Sequence, residues 1–295
     1  MKKGLSLVLS ILLMVGVIMP SAVFADDVIN EKLGVPIVVY GANLSESEKA
    51  GVKNDLNVAG EAEVEELTVD GNDLIKYIPG GDRKARMYSS AKITRQEEGE
   101  GLVINIVTPD NITQVTADMY ATAMLTAGIE DAVVEVASPK KVSGHSALVG
   151  IYKAYEVTGE VLDTERTDTA NDELNLATKL SEKAGVDKDE VAQLLTDIKK
   201  QIAEQKPATK EDVEKIVNEQ LKKLNIQLSD ADRQLLIDLM DRISKLDIDF
   251  SKLNEQLTDM ASKIKDKLGD IDPSFWEKVK EFFRNMADSL KSLFS

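Results

Sequence analysis

Hydrophobic and polar residues follow two different rhythms along the chain, and the rhythm changes a little past its middle. In the first part, short apolar runs alternate with helical periodicity. Val35-Pro36-Ile37-Val38-Val39-Tyr40 is rich in β-branched residues and stops at Gly41, the pattern of a buried strand. Ser45-Glu46-Ser47-Glu48 has capping-box spacing. A hydroxyl takes an orphan helix amide and the Glu three residues on reaches back, so a helix is expected to near Leu56. Residues 63–69 read as a second strand, and 73–78 as a short helix before Pro79-Gly80-Gly81. Residues 89–94 and 102–107 flank the polar stretch 96–101 and read as a β-hairpin. Thr116 caps a helix that Gly128 closes. Residues 132–137 form another strand. A helix then runs from Gly144 to about Val157, with Leu148, Ile151, Tyr152 and Tyr155 on one buried face.

Residues 161–168 are polar and unpatterned and read as a linker. From about Thr169 the periodicity is helical throughout. Val191, Leu194, Leu195, Ile198 and Ile202 lie on one stripe; Val213, Ile216, Val217, Leu221 and Leu224 lie on another. Asp187, Thr209 and Ser229 open helices, and Asp272-Pro273 opens the last. Each heptad run is too short for a long coiled coil. The expected fold class is therefore α+β: an N-terminal mixed-sheet α/β sandwich over 26–160, then an all-α bundle or hairpin region over 169–272, then an amphipathic helix over 273–295.

Residues 1–25 complete the division. Lys2 and Lys3 precede an apolar run from Leu5 to Met19, and Val23-Phe24-Ala25 ends it before two Asp, the order of a cleavable secretory leader. The apolar run is short of the ~20 residues that span a bilayer. The expected location is secreted or envelope-associated. Losing the leader removes two Lys and no acid, which takes the net charge from −16 to −18. Such a surface repels phosphate backbones, so no nucleic-acid partner is expected, nor broad attraction to anionic lipids or polymers. The absence of Cys excludes disulfides and thiol chemistry.

Candidate chemistry is sparse. One His and no Cys exclude the usual nitrogen and sulfur zinc sites. Gly144-His145-Ser146-Ala147-Leu148 approaches a nucleophile elbow, but Leu148 stands where the second Gly belongs. Asp247-x-Asp249-x-Ser251 lacks the Gly and Glu of a calcium loop. No catalytic, metal or cofactor residue is nominated and no cofactor is expected. The turn carrying Lys140, Lys141, Ser143, Gly144, His145 and Ser146 is a candidate anion contact at a helix start, against the alternative of an ordinary strand-to-helix connection.

The C-terminus carries the sharpest local pattern. Four of the six Phe and the only Trp fall within 274–295. Phe275, Trp276, Val279, Phe282, Phe283, Met286, Leu290, Leu293 and Phe294 share one helical side, and Lys280, Arg284 and Lys291 border it. Three readings stand: core packing on other helices, a membrane-interface helix, or a surface for an unidentified protein partner or for self-association.

Gly41-Ala42-Asn43-Leu44-Ser45, the strand Ser89-Ser90-Ala91-Lys92-Ile93 and the run from Tyr120 to Tyr155 resemble the YpuA-like exported proteins grouped as domain of unknown function 1002. The resemblance implies an exported protein of a Gram-positive-type cell, without an assigned activity, cofactor or site residue. The family's pattern has a small hydroxyl residue where this chain has His145, which weakens a catalytic role for that side chain. The expected function is a non-enzymatic binding or interaction protein at the extracytoplasmic face. The alternatives are a hydrolase using carboxylates and hydroxyls, and a structural envelope scaffold self-associating through the helical region.

Overall fold

A computed structural model describes residues 34–183 and 186–248. The leader over 1–25 and the aromatic helix over 273–295 lie outside the described residues. The elements are β1 (Ile37–Gly41), α1 (Glu46–Asp55), β2 (Glu65–Val69), α2 (Gly71–Tyr77), β3 (Ser90–Arg95), β4 (Leu102–Ile106), α3 (Ala117–Ala127), β5 (Ala132–Ala137), α4 (His145–Val157), α5 (Thr164–Lys183), α6 (Lys188–Gln205), α7 (Lys210–Lys223) and α8 (Asp230–Lys245). This is an α+β arrangement: one mixed sheet in the N-terminal half, with helices mostly in the C-terminal half. No helix among the described residues is long and apolar enough to cross a membrane.

The strand order is β2-β1-β3-β5-β4. β3 runs antiparallel to both neighbours, while β1–β2 and β5–β4 pair in parallel. The C-terminal ends of four strands and the start of β3 therefore line up along one end of the sheet.

β3 and β4 do not form the expected hairpin. β5 lies between them, with Val134 opposite Ile93 on one side and Ile104 on the other. Leu102, Val103 and Ile104 are all buried, so β4 has no alternating solvent face of the kind a hairpin strand keeps. Its parallel partner requires a crossover, and α3 supplies it. The β3–β4 loop is tied to the start of β5, where Asp131 Oδ1 accepts the amides of Gly99 and Gly101, at 3.1 and 2.7 Å.

The caps read from sequence are formed. Ser45 accepts the Glu48 amide while Glu48 takes the Ser45 amide at 2.8 Å. Thr116 caps α3, and Gly128 ends it with φ +93°. Asp187, Thr209 and Ser229 open α6, α7 and α8. Of the connector expected over 161–168, Thr164 onward is already the first turn of α5. Asp163 Oδ1 accepts the Arg166 amide at 2.9 Å, and Thr167 donates to the Tyr77 carbonyl at 2.8 Å. Its polar residues bond inward, which a hydropathy reading takes for a loop.

Both faces of the sheet are covered. Val38 and Tyr40 of β1 meet Val52 and Leu56 of α1 on one face. Ile37 and Val39 point to the other, where α4 packs on β1, β2 and β3 and α3 packs on β4. The same apolar cluster continues from there through Leu174 and Leu195 to Leu236 of α8. Sheet and helices thus share one core. Its seam contains a buried ion pair: Lys199 Nζ lies 2.5 Å from Glu173 Oε1, and both side chains are 1% exposed. Thr126 donates to Glu173 at 2.6 Å and accepts from Lys199 at 2.8 Å. Burial pulls the Lys199 amine down, and Glu173 opposes that shift.

Candidate functional site

The β5–α4 turn sits at the sheet end where the parallel strands terminate, the usual place for ligand crevices in open α/β sheets. Local bonding fixes its shape. The Ser138 amide donates to Thr108 Oγ1 at 2.8 Å, and its hydroxyl donates to the Lys140 carbonyl at 2.8 Å. Asn111 Nδ2 holds the Ser138 carbonyl at 2.7 Å. Gly144 begins α4 at φ +108°, and a Cβ there would lie 2.6 Å from the Tyr120 hydroxyl. That hydroxyl donates to the Gly144 carbonyl at 2.6 Å.

The six candidate anion contacts are not gathered on one point. Lys140 turns toward α1, where its Nζ lies 2.5 Å from Glu48 Oε1 and 4.3 Å from the Tyr88 ring centre. That bond and those to Ser45 hold the Glu48 carboxyl down at about 2. Ser146 turns to the opposite face, with its Oγ 2.6 Å from Ser89 Oγ. His145 points to α5, its Nε2 3.5 Å from Thr178 Oγ1. Burial lowers the His145 pKa and Glu182 partly offsets this, so the ring is held neutral, the wrong state for an anion ligand. The Ser143 carbonyl accepts the Gln114 and Val115 amides. Lys141 is exposed. The sequence grouped these residues by proximity along the chain, but the turn spreads them over both faces of the sheet.

Two arrangements were not apparent in the sequence. Asp118, in the first turn of α3, has its carboxyl pushed up to about 7 by burial, with the Asp189 charge adding to it. Among so many carboxylates no spacing marks it. The second is a cleft of about 250 Å³ at the opposite end of the sheet, lined by Arg95, Glu98, Gly128, Glu130, Asp131 and Tyr155. Arg95 lies 4.8 Å over the Tyr155 ring, bonds Thr158 Oγ1 at 3.1 Å and pairs with Glu160 at 3.0 Å. Among the described residues no three His, Asp or Glu stand where they could share a metal ion.

A family model described as "Protein of unknown function (DUF1002)" matches residues 40–260, from the end of β1 through α8. The chain belongs to the DUF1002 family. Within it, the chain is 35% identical over 273 residues to "Uncharacterized protein YpuA" of Bacillus subtilis (strain 168), covering 89% of this chain and 90% of that protein. No solved structure matches. The matched span of the DUF1002 model contains the whole β5–α4 turn as well as the Arg95 cleft.

Proposed function

We propose that this member of the DUF1002 family is an exported, non-enzymatic interaction protein. Its folded body holds a C-terminal amphipathic segment against a surface on the outer side of the cell. One observation carries the reading: the only Trp and four of the six Phe are concentrated in 274–295, on one helical side with basic margins. Helices α5 to α8 carry no aromatic residue and fill their buried faces mainly with Leu, Ile, Val and Ala. The leader-like pattern of residues 1–25 supplies the compartment. The Ser138 and Ser146 hydroxyls and Lys140 of the β5–α4 turn are engaged within the chain, which fits a structural turn.

Trp276 makes the test direct, because all indole emission comes from this segment. Titrating residues 26–295 with vesicles should shift the emission to the blue as the indole leaves water. Emission that is blue-shifted before vesicles are added, and unchanged after, would identify the segment as core.

A second reading is favoured by the Glu98, Glu130 and Asp131 carboxylates around the Arg95 cleft. They would serve a hydrolase that works with carboxylates alone. Turnover of a model glycoside or ester that disappears in Glu130→Gln would establish it.

A further inference from the structure

The described residues carry a second candidate surface. Residues 79–89 cross the sheet end above the last residues of β2 and β1. The crossing is tight: a Cβ on Gly71 would lie 1.8 Å from the Arg83 carbonyl oxygen, and one on Gly41 would lie 2.4 Å from that of Met87. Asn43 fastens the loop from both sides, its amide donating to Met87 O at 3.0 Å and its Oδ1 accepting from Met87 N at 2.8 Å. The loop therefore holds Arg83 at the end of β2 and Arg86 at the end of β1. Tyr88 follows beside Lys140. Lys141 comes next, past the end of β5.

Most cations of the folded body are committed: Lys53, Lys92, Lys153, Lys199 and Arg242 all sit within 4 Å of carboxylates. Arg83, Lys84, Arg86 and Lys141 are exposed, and none has a carboxylate within that distance among the described residues. Acids close to the strip have local work. Asp82 accepts the Lys84 amide, and Glu48 takes Lys140.

We propose that this row is a docking strip for a linear phosphodiester polyanion. Its form argues for a strand-like ligand. It runs across three strand-to-strand steps, from β2 to β5, or roughly 14 Å at ordinary sheet spacing. It is one loop wide, so it offers a line and not a face. Guanidinium forks match phosphate oxygens, and midway lies the partly exposed Tyr88 ring, with Lys140 against it. The chain's net charge of −16 does not veto such binding. At physiological salt charges are screened beyond about 8 Å, so the acids of the far side contribute little here.

The test uses the full chain with synthetic polyglycerol phosphate as the probe, polyglutamate and anionic vesicles as comparisons, and a salt series. Arg83→Gln/Lys84→Gln/Arg86→Gln is set beside a charge-matched control, Lys206→Gln/Lys215→Gln/Lys222→Gln, with melting temperature checked for each. The strip variant should bind the polymer at least about tenfold more weakly and flatten the salt dependence by about one unit per lost contact, with the control near wild type. Should the triple variant fold poorly, Lys84→Gln/Lys141→Gln changes only exposed side chains and should weaken binding in the same direction. Equal losses in strip and control variants would overturn the proposal. So would a wild-type chain that ignores the polymer even at low salt, or one that prefers polyglutamate or vesicles to it. A chain ending at Gly269 keeps the strip, so its polymer binding separates failure here from failure of the C-terminal reading.

Discussion

Gly71 and Gly51 pose opposite problems to a methyl group. At Gly71 the loop carbonyl of Arg83 leaves no space, so Gly71→Ala should lower stability by about 1–3 kcal/mol through overpacking. Gly51 lies inside α1 with open space around it, so Gly51→Ala should raise stability by about 0.5–1 kcal/mol. Denaturant melts of the two variants check both signs. Asp118 gives a prediction in pH. Its folded pKa of about 7 lies above the ordinary carboxylate value, so in the interval between them the folded chain keeps a proton that the unfolded chain has released. The stability it contributes is complete below an ordinary Asp pKa and drains away as pH rises toward 7. Asp118→Asn should match wild type near pH 4 and exceed it at pH 8, by on the order of 2–4 kcal/mol, in paired thermal melts. At this scale the sequence was most readable where a residue acts on its own turn, as Ser45, Thr116 and Gly128 do. It was least readable where a partner comes from far along the chain. Nothing near Gly71 announces that Arg83 will cross it.

Among the elements, β4 shows why strand existence was easier to read than strand pairing. Its apolar run marked it as a strand, but nothing local says that β5, about thirty residues on, will enter between it and β3. α5 shows the converse: its first turn is polar because Thr167 and Arg166 bond to carbonyls of other elements. α6 was legible as a helix through its apolar stripe, yet Lys199 belongs to its buried face. Glu173→Gln would leave the Lys199 ammonium unpaired and should cost roughly 3–5 kcal/mol. Replacing both by Met removes two buried charges together and should recover most of that loss. Chemical denaturation of the single and double variants distinguishes an ion pair that stabilises from one that merely must not be broken.

For the whole molecule, the shared core predicts that the sheet and the helices melt together. Helical circular dichroism and Tyr absorbance should give coincident transitions for residues 26–295; two separated transitions would mean that the halves fold independently. Net charge and the missing Cys were the global facts that composition supplied, and both narrowed the chemistry without choosing a function. The contact surfaces belong to opposite ends of the description: the C-terminal stripe was visible only as a periodic pattern, while the basic strip required knowing which loop crosses the sheet end. The central claim is that residues 273–295 meet an external surface. The most direct measurement is co-sedimentation with neutral and anionic vesicles at physiological salt, comparing residues 26–295 with a chain ending at Gly269. The longer chain is predicted to pellet with vesicles while the shorter stays in solution with an unchanged melting temperature. Neither chain pelleting, together with a lower melting temperature for the shorter one, would contradict the claim and return the last helix to the core.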